Sequence, residues 1–562
     1  MVYVYAKQSN LNKLIGKKLS IQEIEETLKD LGMDLKGEEI LNNNDVELKV
    51  EITAEKLDMI SEIGLARAIK YYLALAKEIP KYKIKKANEK LIVEKSASLT
   101  RPKIVSAIVR NVPMTQEVLD EIIKLQEKIH DSFGRNRKKA AIGIYPIENI
   151  QFPVIYKSEE PKNIVFRPLE SEVKMHGLEI LKNHETGKKF AHLLDDFKLF
   201  PVLRDSNNQV LSMPPIINSH ETGRVEVHHK DLFIECTGFN IQHLDNILKV
   251  LISNFIEMGG IAQTVQVEYA DGEKYELSLD SNEDEISLNY INNLIGIEVK
   301  ANEIEKLLNK VMFGLKEING DKIKIEIPCF KSDVWNDCDI ADDIARAYGY
   351  NNIVPKFPNV SSMGEHLPFS IFKDKFTESL VSMGYLELYT YILTSTKDQF
   401  KLMALNEEKE DFIKISDSAE EGINMTRTMI LPENLKSLNI NRKNKYPQKV
   451  FENGFTLEVN NTQDTKASNI AKLSVSIADL KSNYTQIKSV LDTLLKLNEI
   501  NFEIKETSLP FLIEGRSAKI LVKGKSIGFI GEVHPQILSN FGLIVPVSSF
   551  EINLSKLYNL LN

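Results

Sequence analysis

The chain carries a degenerate copy of part of itself, and that repeat limits what its two flanks can fold into. Residues 11–37 (LNKLIGKKLSIQEIEETLKDLGMDLKG) align without a gap on residues 291–317 (INNLIGIEVKANEIEKLLNKVMFGLKE). Leu14-Ile15-Gly16 returns as Leu294-Ile295-Gly296, and Glu23-Ile24-Glu25 as Glu303-Ile304-Glu305. The match resumes where KVEITAEKLDMISEIGLARAI, from Lys49, meets KIEIPCFKSDVWNDCDIADDI, from Lys324. The first copy reads as a compact α+β module. It opens with an alternating strand, Val2-Tyr3-Val4-Tyr5. A helix capped by Ser20 and Glu23 follows, with Ile21, Ile24, Leu28 and Leu31 on one face and Gly32 as its stop. A strand at Glu47–Ile52 and a helix near Ile60–Leu75 complete it.

The copies differ in charge. In the second, Asp339, Asp342 and Asp343 are spaced i, i+3, i+4, on one helix face, and Asp333 can fold back toward them from the preceding loop. The first copy keeps Asp58 at the position of Asp333 but has Gly64, Arg67 and Ala68 at the other three. The helix is therefore built without those acids, and three like charges on one face need something positive among them. Oxygen ligands with no Cys or His nearby suit a hard cation such as Mg²⁺. The alternative is a cluster that caps the positive end of the helix dipole.

At 562 residues the chain has room for several cores. Its formal net charge of −9 opposes coating nucleic acid by bulk electrostatics and leaves room for a local basic patch. Three scattered cysteines without a CxxC predict a reducing compartment and neither a disulfide framework nor a zinc site. No apolar stretch reaches membrane-spanning length and no signal peptide is evident, so the expected setting is cytoplasmic, with no membrane partner.

Five segments follow in order: a module at 1–95, with a charge-rich linker at Lys81–Lys95; a mixed domain at 96–270; the second module at 271–352; a Pro/Ser/Gly linker at 353–365; and a last domain at 366–562. In that last domain, strands clustered late beside helices predict an antiparallel sheet. Within 96–270, Val105–Val109 and Ala141–Tyr145 read as strands and Glu117–His130 as a helix. The loop between them concentrates Arg135, Arg137, Lys138 and Lys139, which either hold phosphates or form a solvated face. Glu235 stands inside an apolar strand, Leu232–Gly238, where a carboxylate marks a buried partner or a site.

Four blocks in this order resemble the beta subunit of phenylalanine–tRNA ligase of the archaeal and eukaryotic type. They are Asp333-Val334 through Tyr350, SMPPIIN at Ser212–Asn218, Glu235-Cys236-Thr237-Gly238, and Glu514-Gly515-Arg516 with GFIGEVHP at Gly528–Pro535. The resemblance covers essentially the whole chain. It implies an α+β multidomain fold: two related winged-helix-like modules (B1-like and B5-like) flank a B3/B4 editing domain. A class II synthetase-like antiparallel sheet domain (B6–B7) without catalytic residues follows. It further implies an alpha subunit that charges tRNA(Phe) using ATP and phenylalanine, an (αβ)₂ heterotetramer, and hydrolysis of mischarged Tyr-tRNA(Phe) in this chain. Leu203 would shape the wall of the editing pocket, Ser212 and Asn218 would orient the ester or a water, and Glu235 would accept the tyrosine hydroxyl. Asp333, Asp339, Asp342 and Asp343 would surround Mg²⁺ near the alpha subunit. The chain departs from the family at Glu55-Lys56-Leu57-Asp58, where Asn-Arg-Pro-Asp is usual, and at Pro146-Ile147-Glu148, where Asp-Leu-Asp is common. Two other readings compete: a nucleic-acid-binding scaffold, which the acidic helix face opposes because carboxylates repel phosphates, and a free-standing editing hydrolase.

Overall fold

Both copies of the repeat fold alike, down to single hydrogen bonds. In the computed structural model, which describes every residue except 1, 43, 417, 419 and 421, each module is a three-stranded antiparallel sheet with helices beside it. The strand order is Val2–Lys7, Val46–Ile52, Asp34–Ile40 in the first and Asn282–Ser287, Lys322–Ile327, Gly314–Asn319 in the second. The edge strands bulge at matching places, between Leu35 and Gly37 and between Leu315 and Glu317. Gly16 and Gly296 end equivalent helices at φ of 81° and 79°, a left-handed turn that glycine adopts without strain. Asn12 closes the following loop by accepting the Leu19 N–H at 2.9 Å, and Asn292 accepts the Val299 N–H at 2.8 Å.

Between the modules, two sheets pack face to face. Ile261–Thr264, Lys103–Arg110, Leu232–Gly238 and Ala140–Pro146 form an antiparallel four-stranded sheet. Ile217–Asn218, Val210–Met213, Phe200–Arg204, Val154–Glu159, Lys90–Val93, Gln266–Tyr269 and Lys274–Tyr275 form a mixed seven-stranded one. Ile104, Ile108, Tyr145 and Phe233 from the first meet Leu91, Tyr156, Leu203 and Val267 from the second in one buried cluster. The helices Gln116–Asp131 and Ile241–Glu257 cover the other face of the four-stranded sheet, and their core runs on into that of the first module. Lys81–Lys95 is thus more than a linker. Leu91 and Val93 alternate with exposed neighbours and are buried, so Lys90–Val93 pairs as a strand despite the flanking charge.

The chain divides into two compact units, Met1–Phe357 and Pro358–Asn562. The second is built on a seven-stranded sheet in the order Leu386–Glu387, Gln448–Val459, Ala467–Ala478, Val547–Asn553, Lys525–Val533, Leu512–Val522, Glu503–Glu506. All its pairs are antiparallel except the short first one. The helices Pro368–Ser382, Tyr484–Leu497 and Leu554–Leu561 close its core through Phe376, Leu380, Leu491, Leu494 and Leu557. No helix among the described residues is long and apolar enough to cross a membrane.

The acidic helix spans Asp337–Tyr348, and its carboxylates do not converge. Asp339 caps the helix, accepting the N–H groups of Trp335 and Asn336 at 2.8 Å each. Asp342 pairs with Arg346 at 2.8 Å and accepts the Tyr350 hydroxyl at 2.7 Å. Asp343 is buried between two lysines, Lys331 at 2.8 Å and Lys56 at 2.9 Å, and Lys56 also reaches Asp333 at 2.5 Å. The expectation that Asp333, Asp339, Asp342 and Asp343 surround one Mg²⁺, not all of them binding directly, is corrected in one respect: the four do not share one site in this chain. Two buried ammonium groups already neutralise Asp343, and a divalent cation beside them does not fit.

Burial opposes the Asp343 carboxylate, but Lys331 and Lys56 outweigh it and hold its pKa below the ordinary range. A depressed carboxylate stabilises the fold above its unfolded value, about pH 4, and that contribution is lost as the pH falls below it. Lys56→Ala leaves two buried carboxylates short of a partner and should lower stability by about 3–5 kcal/mol in urea unfolding. Lys29→Ala, which breaks the exposed pair with Glu25, should change it by less than about 1 kcal/mol. Equal effects of the two substitutions would show that the Lys56 cluster contributes nothing beyond a surface pair.

Candidate functional site

The pairing of Leu232–Gly238 with Ala140–Pro146 puts Glu235 directly across from Gly143. Tyr145, two residues along, shares that face. A Cβ on Gly143 would overlap both the Tyr145 hydroxyl and Glu235 Oε1, so the missing side chain makes the space the two polar groups occupy. The seven-stranded sheet answers from the other side with a single cross-strand row, Tyr156–Leu203–Ser212–Asn218. Tyr145 bridges the sheets. Its hydroxyl lies 3.0 Å from Glu235 Oε1, 2.8 Å from Ser212 Oγ and 3.5 Å from Asn218 Oδ1.

Beside this junction lies a cavity of about 630 Å³, in the range of small-molecule sites. Its walls include Leu119, Ile122, Ile142 and Ile144 on the apolar side and His130, Arg137, Ser212, Asn218, His220 and Glu235 on the polar side. Three of those polar residues each present a buried atom without a hydrogen bond in the protein, Arg137 Nε, His220 Nδ1 and Glu235 Oε2, whereas His130 Nδ1 faces Glu127 Oε1 at 3.5 Å. Buried polar atoms are normally paired, so such a concentration around one cavity marks groups suited to a ligand. Burial raises the Glu235 carboxyl to about 8, with Tyr145 and Arg101 pulling the other way. At neutral pH Glu235 is a protonated acid, able to donate and to accept.

The residues expected from the sequence divide. Ser212, Asn218 and Glu235 line the cavity. Leu203 does not: it is fully buried one strand behind Ser212, in the cluster that holds Tyr156 and Phe233. The basic loop also splits. Arg135, Asn136 and Arg137 take consecutive left-handed φ values of 49°, 51° and 64°. The buried Arg101 clamps the loop, donating to the carbonyls of Arg137 at 3.1 Å and Lys138 at 3.3 Å. Arg137 turns inward onto the Ile216 carbonyl at 2.8 Å and the Phe190 ring, which withdraws it from phosphate binding. Arg135, Lys138 and Lys139 stay exposed.

Tyr145, Gly143, His130 and Arg101 were not singled out by sequence reasoning. The one available signal was a glycine two residues from a tyrosine on a strand able to pair with the strand of the buried acid. A second group of ligand-type side chains, Glu148, His228 and His229, lies within 4.8 Å. There His229 Nδ1 accepts the Glu226 N–H at 2.8 Å, which leaves the proton on Nε2, 3.2 Å from Glu148. That ring is a satisfied bridge and offers no lone pair to a metal.

Comparison with known proteins bears on the family of the chain. Residues 353–554 match the sequence model of the phenylalanyl tRNA synthetase beta chain CLM domain, and residues 285–350 that of the tRNA synthetase B5 domain. Phenylalanine–tRNA ligase beta subunits are 38% identical in Pyrococcus horikoshii, covering 98% of each chain, and 33% identical in Archaeoglobus fulgidus, covering 94% of each. The crystal structure of an N-terminal fragment of the P. horikoshii phenylalanyl-tRNA synthetase beta subunit superposes with a TM-score of 0.59 at 36% identity. It covers 62% of this chain and 99% of that fragment. Similarity of this extent over nearly the full length shows that the chain belongs to the phenylalanine–tRNA ligase beta subunit family.

Proposed function

We propose that the cavity is an editing site that hydrolyses Tyr-tRNA(Phe), in a complex whose alpha subunit performs the ligation. The observation that carries this is the buried carboxyl of Glu235, with Oε2 free of hydrogen bonds on the cavity wall. Tyrosine and phenylalanine differ by one hydroxyl, and a pocket built to hydrogen-bond that hydroxyl rejects the ring lacking it far better than an apolar pocket rejects the reverse. Glu235 takes the phenol, while Asn218 and Ser212 orient the ester side. Ser212 Oγ is held by Tyr145 and by no histidine among the described residues, so water is the attacking group. Its oxygen bonds to the ester carbon, the bond from that carbon to the ribose oxygen breaks, and a proton of the water ends on the departing ribose oxygen, restoring its hydroxyl. Arg135, Lys138 and Lys139 are placed to take backbone phosphates of the incoming 3′ strand.

The second unit supports a partner role in place of ligation. Arg427 is buried on Glu452 at 2.7 Å and so is not free for a nucleotide phosphate, and Arg516, on the surface, pairs with Glu532 at 2.8 Å. Tyr389 and Tyr391 are 97% and 87% exposed. With Leu386 they form an apolar surface that we assign to the alpha subunit, in an (αβ)₂ assembly. The Mg²⁺ expected from the family would be held only in that assembly, by Asp339 and Asp342 near the exposed Trp335, with the remaining ligands from the alpha subunit.

In the complex, Glu235→Ala and Asn218→Ala should each slow Tyr-tRNA(Phe) deacylation about 10-fold or more, in line with losing a hydrogen bond to a discriminating group. Phenylalanine charging should stay near wild type. Unchanged deacylation in both variants would move editing away from this cavity. The chain alone should show no phenylalanine-dependent ATP–pyrophosphate exchange, and joint Asp339→Ala and Asp342→Ala substitution should weaken Mg²⁺-responsive assembly with the alpha subunit. Exchange by the pure chain would overturn the division of labour, and unaltered assembly would remove the metal from this helix.

A further inference from the structure

We infer that Tyr145 is a positioning residue that fixes which oxygen of Glu235 carries the proton, and so decides whether the cavity can accept a ligand hydroxyl. This rests on the editing reading above and deepens it. No direct hydrogen bond joins Glu235 to Ser212 or Asn218 among the described residues; the Tyr145 hydroxyl is the link between the two sheets.

The direction of that link follows from counting protons. A phenol has one proton to donate and can accept. Ser212 Oγ is its nearer acceptor, at 2.8 Å against 3.0 Å for Glu235 Oε1. If the phenol proton goes to Ser212, the Tyr145 oxygen must accept from Glu235, which puts the carboxyl proton on Oε1. Oε2 is then the carbonyl oxygen, an acceptor without a partner in the protein. It suits the phenolic O–H of a tyrosyl group and offers nothing to a bare ring. Gly143 supports the arrangement, because any side chain there would displace both partners of the bond.

Glu235 is also surrounded by Arg101, Tyr156 and Cys236. Of these only Arg101 is charged near neutral pH, and it is itself held by Thr237 and the basic loop. His130, Arg137 and His220 belong to the cavity wall but do not bond Glu235.

The test is the pH profile and selectivity of deacylation by the αβ complex, with Tyr-tRNA(Phe) and Phe-tRNA(Phe) as substrates. Tyr145→Phe keeps the ring and removes the link. The preference for Tyr-tRNA(Phe) in kcat/KM should fall about 10-fold or more, and the Glu235 inflection should move to higher pH: once Glu235 ionises, the phenol turns its proton from Ser212 to the carboxylate, and that charge-assisted bond, stronger than the one the neutral acid donates, is lost in the variant. Ser212→Ala should move the inflection the other way: the phenol proton, deprived of its acceptor, turns to Glu235 and stabilises the carboxylate. A merely structural role predicts no such opposed shifts.

If Tyr145→Phe fails to fold, the Ser212→Ala shift to lower pH still tests the link, and its absence overturns the proposal. If Tyr145→Phe and Ser212→Ala match wild type while Glu235→Gln slows hydrolysis, the proposal fails and the editing reading stands. If Glu235→Gln is also without effect, or wild type does not deacylate Tyr-tRNA(Phe), both fail.

Discussion

The register between Leu232–Gly238 and Ala140–Pro146 is the constraint on which the rest of the site depends. It is set by alternation. Ile234 and Cys236 point into the core beneath the helices, whereas Phe233 and Glu235 point toward the opposing sheet. A slip of one residue would exchange those faces and drive Glu235 into the helix core, so the apolar neighbours hold the acid in place. Facing a glycine and a phenol, Glu235 avoids the penalty of an ionised carboxylate in an apolar layer by keeping its proton. That choice carries a linkage. Its folded value of about 8 lies above the unfolded one near 4. The contribution of neutral Glu235 to stability is therefore complete below about pH 4 and declines as the pH climbs from there toward 8. The property that suits the group to accept a phenol is thus obtained at some expense of stability at neutral pH.

How much of this could be read in advance depended on whether the signal was local. The repeat was legible because its signals are: the recurring Leu-Ile-Gly at Gly16 and Gly296, the capped start at Ser20, and alternating strands. The capped helix at Ser20 and the strand at Leu232–Gly238 fall where the pattern put them. Lys90–Val93 was hidden because lysines and glutamates dominate its flanks and only two buried side chains reveal the strand. Ser212 and Asn218 came from family resemblance and Glu235 also from its place inside an apolar strand, whereas Tyr145 had no signal of its own. Its role exists only once two sheets, formed from segments far apart in sequence, are laid face to face. Leu203 was grouped with Ser212 by spacing, and the two are indeed cross-strand neighbours; the extra strand of depth that keeps Leu203 from the cavity is a tertiary fact.

The acidic helix shows the same limit from the side of charge. Spacing places carboxylates on a face but says nothing of what meets that face. Here neighbouring acids have three separate tasks: a cap at Asp339, a surface pair at Asp342 and a buried junction at Asp343. The junction is a product of the duplication. Lys56 and Lys331 occupy equivalent positions in the two copies, yet both reach Asp343, while the first copy has Ala68 where Asp343 stands. Asp58 and Asp333, also equivalent, lie close enough that Asp333 together with burial pushes Asp58 toward its neutral form. Lys56 and Lys331 are then left to pair with Asp333 and Asp343. An acid at position 68 would add another buried negative charge without a further cation, so the loss of symmetry between the copies is what allows them to pack around one neutral cluster.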